Sequence, residues 1–176
     1  MLNLSRLAGF AQSLELTAYR STSPKYANEQ DLVTGEGSRQ YGGRWNPPGI
    51  AAIYSSLTPE TAMAEAIAHA RYYGFPVQSI MPRTFVAISF KLQRVLDISD
   101  AKLRRKLGIS KAKLVKTDWR AAKDAGQSPV TQAVGQAAFD AGIEALIVPS
   151  AVVPTERNLV VFPGCLLDGS SMTVLE

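Results

Sequence analysis

The apolar positions of the chain fall into short runs with strand character and longer runs with helix character, separated by Gly and Pro. Leu14 to Arg20 predicts a first strand, followed by a loop through Ser23-Pro24. Ile50 to Ser55 predicts a short apolar strand. Arg83 to Leu92 alternates, with Thr84, Val86, Ile88 and Phe90 on one face, and Val95 to Ile98 predicts another strand. Glu144 to Val148 and Asn158 to Phe162 close the sheet. A helix is punctuated by Thr58 as N-cap, Pro59 at the first helical position and Glu60 in the first turn. Its alanine-rich body runs from Thr61 to Tyr72, and Gly74 with Pro76 ends it. Ala101 to Lys123 reads as a basic helical segment carrying Leu103, Leu107, Leu114 and Val115. Ser128-Pro129 opens a further helix to about Ala141, where Gly142 stops it. Between Gly35 and Gly49 the density of Gly and Pro predicts a structured loop without regular elements. Strands and helices mix without regular βαβ alternation, so the fold class is α+β. With no internal repeat and no boundary, residues 1–176 form a single domain.

Composition narrows the setting. At 176 residues the chain can bury a real core, and 46% apolar with 19% charged residues is a globular balance. The net charge of +4 suits an anionic small molecule as well as nucleic acid. Cys165 is the only cysteine, so no internal disulfide forms, and His69 is the only histidine. Together they cannot supply a structural zinc set, so no metal site and a reducing cytoplasm are expected. Arg6, Gln12, Ser13 and Glu15 interrupt Met1 to Tyr19, which reads poorly as a signal peptide. No run approaches a membrane span.

Four positions carry candidate chemistry. In Gly42-Gly43-Arg44-Trp45-Asn46-Pro47-Pro48-Gly49, the paired glycines let the backbone approach a ligand closely. Arg44 then offers a rigid fork for a pyrophosphate, or pairs with a neighbouring carboxylate on a surface loop. Glu65 lies among Thr61, Ala62, Ala68 and His69 at helical spacing. It faces a ligand across these small side chains, or is exposed and paired with His69. Tyr54, in the Ile50–Ser55 strand, either stacks on a flat ring or packs. Ser150 follows Pro149 at a strand end, where ligand contacts concentrate. Lacking a histidine nearby in sequence, it is a poor activated nucleophile.

Taken together, these segments resemble the RES domain. The resemblance rests on Tyr19-Arg20-Ser21-Thr22-Ser23, Gly35-Glu36-Gly37, Gly42-Gly43-Arg44-Trp45-Asn46, Ile53-Tyr54, and Glu65 after Thr58-Pro59-Glu60. It continues in Val148-Pro149-Ser150 and Arg157-Asn158-Leu159-Val160-Val161-Phe162, and covers roughly residues 19–163. The arginine, glutamate and serine that name the family fall on Arg44, Glu65 and Ser150. The resemblance implies an ADP-ribosyltransferase-like mixed sheet with flanking helices and NAD in a central cleft. It implies an enzyme that depletes NAD by hydrolysis or phosphorolysis, as the toxin of a toxin–antitoxin pair. Arg44, Tyr54, Glu65 and Ser150 would be the catalytic set. Arg20, Gly43, Arg44, Tyr54 and Asn158 would bind NAD, which is substrate rather than cofactor. The implied partners are a helix-turn-helix (Xre-type) antitoxin that plugs the cleft and a second copy in a homodimer, with DNA reached only through the antitoxin.

The residue types suit that reaction. Nicotinamide leaves as a neutral molecule from a cationic pyridinium, through an oxocarbenium-like ribose. Glu65 can supply a fixed negative charge there, or hold a ribose hydroxyl. Two other readings remain open. One keeps the fold and transfers ADP-ribose to a protein acceptor. The other is a nucleic-acid-binding module, since nine of the 19 Lys and Arg residues fall between Lys102 and Lys123. Trp119 is the only aromatic there, and Leu103, Leu107 and Leu114 mark a buried face.

Overall fold

The computed structural model describes residues 9–175. The signal-peptide reading of Met1 to Tyr19 falls in part on residues 1–8, which lie outside the described residues. Strands β1 (Gln12–Thr22), β2 (Ile53–Ser56), β3 (Thr84–Asp97), β4 (Ala145–Pro149), β5 (Arg157–Val161) and β6 (Ser171–Val174) form one mixed sheet. Its order is β1-β2-β5-β4-β3-β6, with an additional pairing of β1 to β3. That pairing closes β1, β2, β5, β4 and β3 into a ring and leaves β6 attached to β3. Only β3 and β4 run parallel.

Strand alternation sorts the apolar side chains into two clusters. Leu146, Val148, Val160 and Phe162 face one way, where Trp45, Ile98, Leu103, Leu114 and Val134 complete the packing. Ile53, Ala145, Ile147, Leu159 and Val161 face the other way and meet Ala18, Leu32, Ile88, Phe90 and Leu92. Both faces of β4 are therefore buried, which is why Ala145-Leu146-Ile147-Val148 reads as a continuous apolar run.

Helices α1 (Glu29–Val33), α2 (Glu36–Tyr41), α3 (Pro59–Tyr72), α4 (Ala101–Leu107), α5 (Lys111–Lys116), α6 (Trp119–Asp124) and α7 (Val130–Asp140) surround the sheet. Thr58 caps α3 as expected, its side chain accepting from Thr61 N at 3.2 Å. The stretch from Gly35 to Gly49 departs from the expected loop, because α2 lies inside it. Glycines bound that helix at both ends, with φ of 66° at Gly35 and 75° at Gly42. Its support is tertiary: Ser38 Oγ donates to Ala52 O and accepts from Ala52 N, each at 2.7 Å.

The two strands expected over 83–92 and 95–98 are one strand. Gln93 and Arg94 break the alternation, and the register with β1 shifts there by one residue, a β-bulge. The buried carboxylate of Glu144 bridges the break, accepting from Gln93 N at 2.5 Å and Arg94 N at 2.7 Å. The basic segment is three short helices rather than one. Gly108 ends α4, Ser110 accepts from Lys113 N to start α5, and Asp118 accepts from Arg120 N and Ala121 N to start α6. Leu103 and Leu114 are buried and most of the basic side chains are exposed. Among the described residues, no helix is long and apolar enough to cross a membrane.

Candidate active site

The centre of the site is a carboxylate held from one side. Glu65 projects from α3, and its Oε1 accepts from Ser150 Oγ at 2.8 Å and from Asn158 Nδ2 at 2.7 Å. Ser150 sits fully buried at the end of β4. Its Oγ already accepts from Val152 N at 3.1 Å and Val153 N at 2.9 Å, so its proton is left for Glu65. Asn158, on β5, is oriented in turn by Ser56 of β2, whose hydroxyl donates to Asn158 Oδ1 at 2.8 Å. Among the described residues no donor reaches Glu65 Oε2. The result is a carboxylate with one oxygen anchored and one available to a ligand. Ser150 is a positioning group for it, with no histidine on its hydroxyl.

A second construction holds the glycine-rich loop against β2. Tyr54 donates its phenolic proton to Asn46 Oδ1 at 2.6 Å and accepts from Trp45 N at 2.8 Å. Burial raises the phenol pKa far above its ordinary value, so Tyr54 stays neutral. Asn46 is fully buried and donates to Ser38 O at 2.8 Å and Ile50 O at 2.7 Å. Gly43 touches this group closely enough that a Cβ there would lie 2.4 Å from the Tyr54 oxygen. The glycine is required by that approach of loop to ring. Arg44 then reaches the C-terminal carbonyls of α5, with Nη1 donating to Leu114 O at 3.2 Å and Thr117 O at 2.9 Å. Burial lowers its pKa, the Glu65 carboxylate opposes that shift, and Arg120 adds to it.

A cleft of about 630 Å³ opens in front of Glu65. Arg20, Tyr54, Glu65 and Asn158 line it; Ser150 and Gly43 stand behind its wall, and Arg44 is coupled to Glu65 by charge without lining it. Arg20 donates through Nη1 to Leu32 O, and burial lowers its pKa. The cleft also contains Arg83 and His69, which the sequence reading did not select as ligand groups. Arg83 is clamped to Ser21 by Nε, 3.0 Å from Oγ, and by Nη2 on the carbonyl. His69 contacts not Glu65 but Arg120, with Nδ1 2.8 Å from Nη2. These residues escape sequence reasoning because β1–β3 pairing and the packing of α6 on α3 bring them together. A second cleft of about 580 Å³, lined by Leu14, Leu16, Leu57, Lys102 and Arg157 among others, contains none of these residues.

Comparison with known proteins identifies the fold and the family. NAD(+) phosphorylase MbcT of Mycobacterium tuberculosis is 28% identical over 138 residues, covering 77% of this chain and 67% of the relative. The Prs ADP-ribosylating toxin of a Sphingobium species is 29% identical over 135 residues, covering 77% and 74%. The crystal structure of the M. tuberculosis MbcT–MbcA toxin–antitoxin complex superposes with a TM-score of 0.75 at 24% identity. That match spans 98% of this chain and 88% of the other, so the mixed sheet with flanking helices is a shared fold. Residues 17–173 match the RES domain, and the chain belongs to the RES domain family.

Proposed function

We propose that this protein cleaves the bond between nicotinamide and ribose in NAD and serves as the toxin of a toxin–antitoxin pair. The observation that carries the reading is Glu65: one oxygen fixed by Ser150 and Asn158, the other free over the cleft. Breaking the glycosidic bond develops positive charge on the ribose, and a carboxylate already held in place stabilises it without reorganisation. Nicotinamide departs neutral, so the site needs no strong general acid, and NAD is its substrate with no cofactor or metal required. Arg20 on the cleft wall and Arg44 at its margin supply charge for the pyrophosphate, while the Tyr54 ring bounds the nicotinamide end. A volume of about 630 Å³ falls in the range of small-molecule sites. MbcT, a relative at 28% identity, is named as an NAD(+) phosphorylase, and the structure similar to this one is a toxin–antitoxin complex.

The same reading assigns a cytoplasmic setting and an inhibitory partner that inserts a segment into the cleft near Arg44. The partner carries an Xre-type helix-turn-helix domain and provides the only route to DNA. The toxin itself is a homodimer. The experiment is incubation of the purified protein with NAD, with the products resolved by chromatography. Release of nicotinamide far beyond the enzyme concentration supports the reading. Labelling of a protein by ADP-ribose without bulk depletion would instead favour transfer to a protein acceptor.

A further inference from the structure

We infer that Phe75 seats the adenine ring of NAD, so that the dinucleotide lies along helix α3 with its nicotinamide end at Glu65. The inference rests on the NAD reading and deepens it, since that reading assigns no residue to the adenine half.

The sequence of α3 lays out one wall of the cleft. Ala62, Glu65, Ala66, His69 and Ala70 recur at helical spacing, and all five line it. The alanines among them let a ligand lie close against the helix beyond Glu65. At the rise of an α-helix, Ala70 stands about 7.5 Å from Glu65 along the axis. The chain then turns back on itself. Gly74 takes a φ of 73°, and Phe75 N donates to Ala70 O at 2.9 Å. That turn holds Phe75 just past the end of the helix, where it lines the cleft together with Ile80.

Phe75 is 56% exposed, so the fold gains little from burying it. The ring is nevertheless braced. Its centroid lies 6.4 Å from that of Tyr73, which meets Tyr72 edge-on at 5.3 Å. The Tyr73 hydroxyl in turn accepts from Arg120 Nε at 3.2 Å. An aromatic ring held at the wall of a ligand cleft suits a flat base, which stacks on it without needing a hydrogen bond. A ring already in place also loses little freedom when the base arrives.

Charge orders the ligand in the same direction. A pyrophosphate joins the two halves of NAD, so cations belong between the ribose at Glu65 and the adenine. Arg20 and Arg83 are the arginines that line the cleft among the described residues. Arg83 spends Nε and Nη2 on Ser21 and keeps Nη1 without a protein partner among those residues. Ser21 lies two positions along β1 from Tyr19, which pairs with Ser56 beside Asn158 and Glu65. The Arg83 guanidinium is thus set off from the carboxylate rather than spent on it. Among the described residues the salt bridges are Arg39–Glu36 and Arg157–Asp97, and neither involves Arg20 or Arg83. The reverse orientation would carry the scissile bond away from Glu65, the carboxylate of this cleft.

The test compares wild type with Phe75→Ala and Phe75→Tyr in NAD cleavage, with AMP and nicotinamide mononucleotide as competitors carrying one half each. The adenine is bound in ground and transition states alike, so loss of its seat belongs in KM. Phe75→Ala should raise the KM for NAD by ~10-fold and the inhibition constant of AMP by a similar factor, with kcat little changed. Inhibition by nicotinamide mononucleotide, which lacks the adenine, should not move. Phe75→Tyr keeps the ring and should stay near wild type in every constant, and thermal melts verify that both variants fold. An unchanged KM for NAD in folded Phe75→Ala overturns the proposal, as does AMP that fails to inhibit the wild type. Equal weakening of AMP and nicotinamide mononucleotide also overturns it, because the ring would then shape the cleft as a whole. Each of these results leaves the NAD reading standing. Wild-type protein that consumes no NAD removes that reading, and the adenine seat with it.

Discussion

Ser150 gives its hydroxyl proton to Glu65 at 2.8 Å across 85 positions of the chain, while the same oxygen receives two backbone N–H groups. The residue thereby ties the turn after β4 to the carboxylate on α3. Ser150→Ala removes a donor from Glu65 and takes away the acceptor of the part-buried bonds from Val152 N and Val153 N. A stability loss of about 1–3 kcal/mol is expected in urea titration. NAD cleavage should fall as well, because Glu65 keeps only its bond from Asn158. A variant of unchanged stability and rate would show that Ser150 does not orient Glu65.

Glu65→Gln separates charge from shape. The amide oxygen can take the place of Oε1 and keep the bonds from Ser150 and Asn158. What disappears is the negative charge over the cleft. Folding should be retained, and kcat should fall by ~100-fold or more with much of the NAD affinity kept. Wild-type kcat in a folded Glu65→Gln protein would remove this residue from the chemistry.

Arg44→Ala should fail in the complementary way. Its charge is assigned to the pyrophosphate, which is present in ground and transition states alike. Loss of a charge-assisted contact of ~1.5–3 kcal/mol should raise the KM for NAD roughly 10–150-fold with a smaller change in kcat. The side chain also binds Leu114 O and Thr117 O, so faster amide exchange at the end of α5 should accompany the kinetic loss. An effect confined to kcat would contradict the assignment.

Gly43 and Tyr54 should behave as a coupled pair. A Cβ at residue 43 would lie 2.4 Å from the Tyr54 oxygen and 2.7 Å from Asn46 Oδ1. Gly43→Ala should cost about 1–3 kcal/mol through overpacking. Tyr54→Phe removes the nearest clashing atom, so the double variant should be more stable than the sum of the single losses predicts. Denaturant unfolding of all four proteins measures the coupling, and strict additivity would deny the contact.

How far these relationships could be read beforehand depended on how local their causes are. The capped helix α3 and the buried strand β4 declare themselves through neighbouring residues. Thr58-Pro59-Glu60 and an unbroken apolar run suffice for them. Helix α2 does not, because its glycine ends resemble loop punctuation and its support, Ser38 on Ala52, spans 14 positions. Strand β6 was missed for a related reason: Ser171–Val174 is a half-exposed strand attached to β3, with little apolar signal of its own. In the site, motif resemblance marked Glu65, Ser150 and Asn158, while their hydrogen bonds depend on the sheet order. His69 and Arg83 stood in plain view, yet only the packing of α6 against α3 and of β1 against β3 gives them a common location.

Glu144 contributes an acid dependence to the fold. Burial pushes its carboxyl pKa up, but N–H groups of Leu167, Arg94 and Gln93 and the Ser170 hydroxyl outweigh it and leave the pKa below its ordinary 4.5. The unfolded chain therefore takes up the proton first as pH falls. The stabilisation is complete above pH 4.5 and is lost as pH falls toward the folded-state pKa. Glu144→Gln should lower stability at neutral pH by about 1–3 kcal/mol, since an amide N–H₂ meets backbone donors. The difference in melting temperature from wild type should shrink on acidification. A constant difference across that range would mean that Glu144 does not titrate in the transition.

The ring of strands is sewn unevenly. β1 runs beside β3 over most of its length, yet it meets β2 through one residue pair, Tyr19 with Ser56. Both of those residues line the cleft, so the weakest stitch lies under the proposed substrate. An occupant bound only by the folded chain stabilises it by an amount that grows with the logarithm of its concentration. On the proposed reading, an enzyme that drains its NAD also drains a ligand that stabilises its own fold. Its survival against proteases would then decline with the pool it consumes, a brake that needs no second protein.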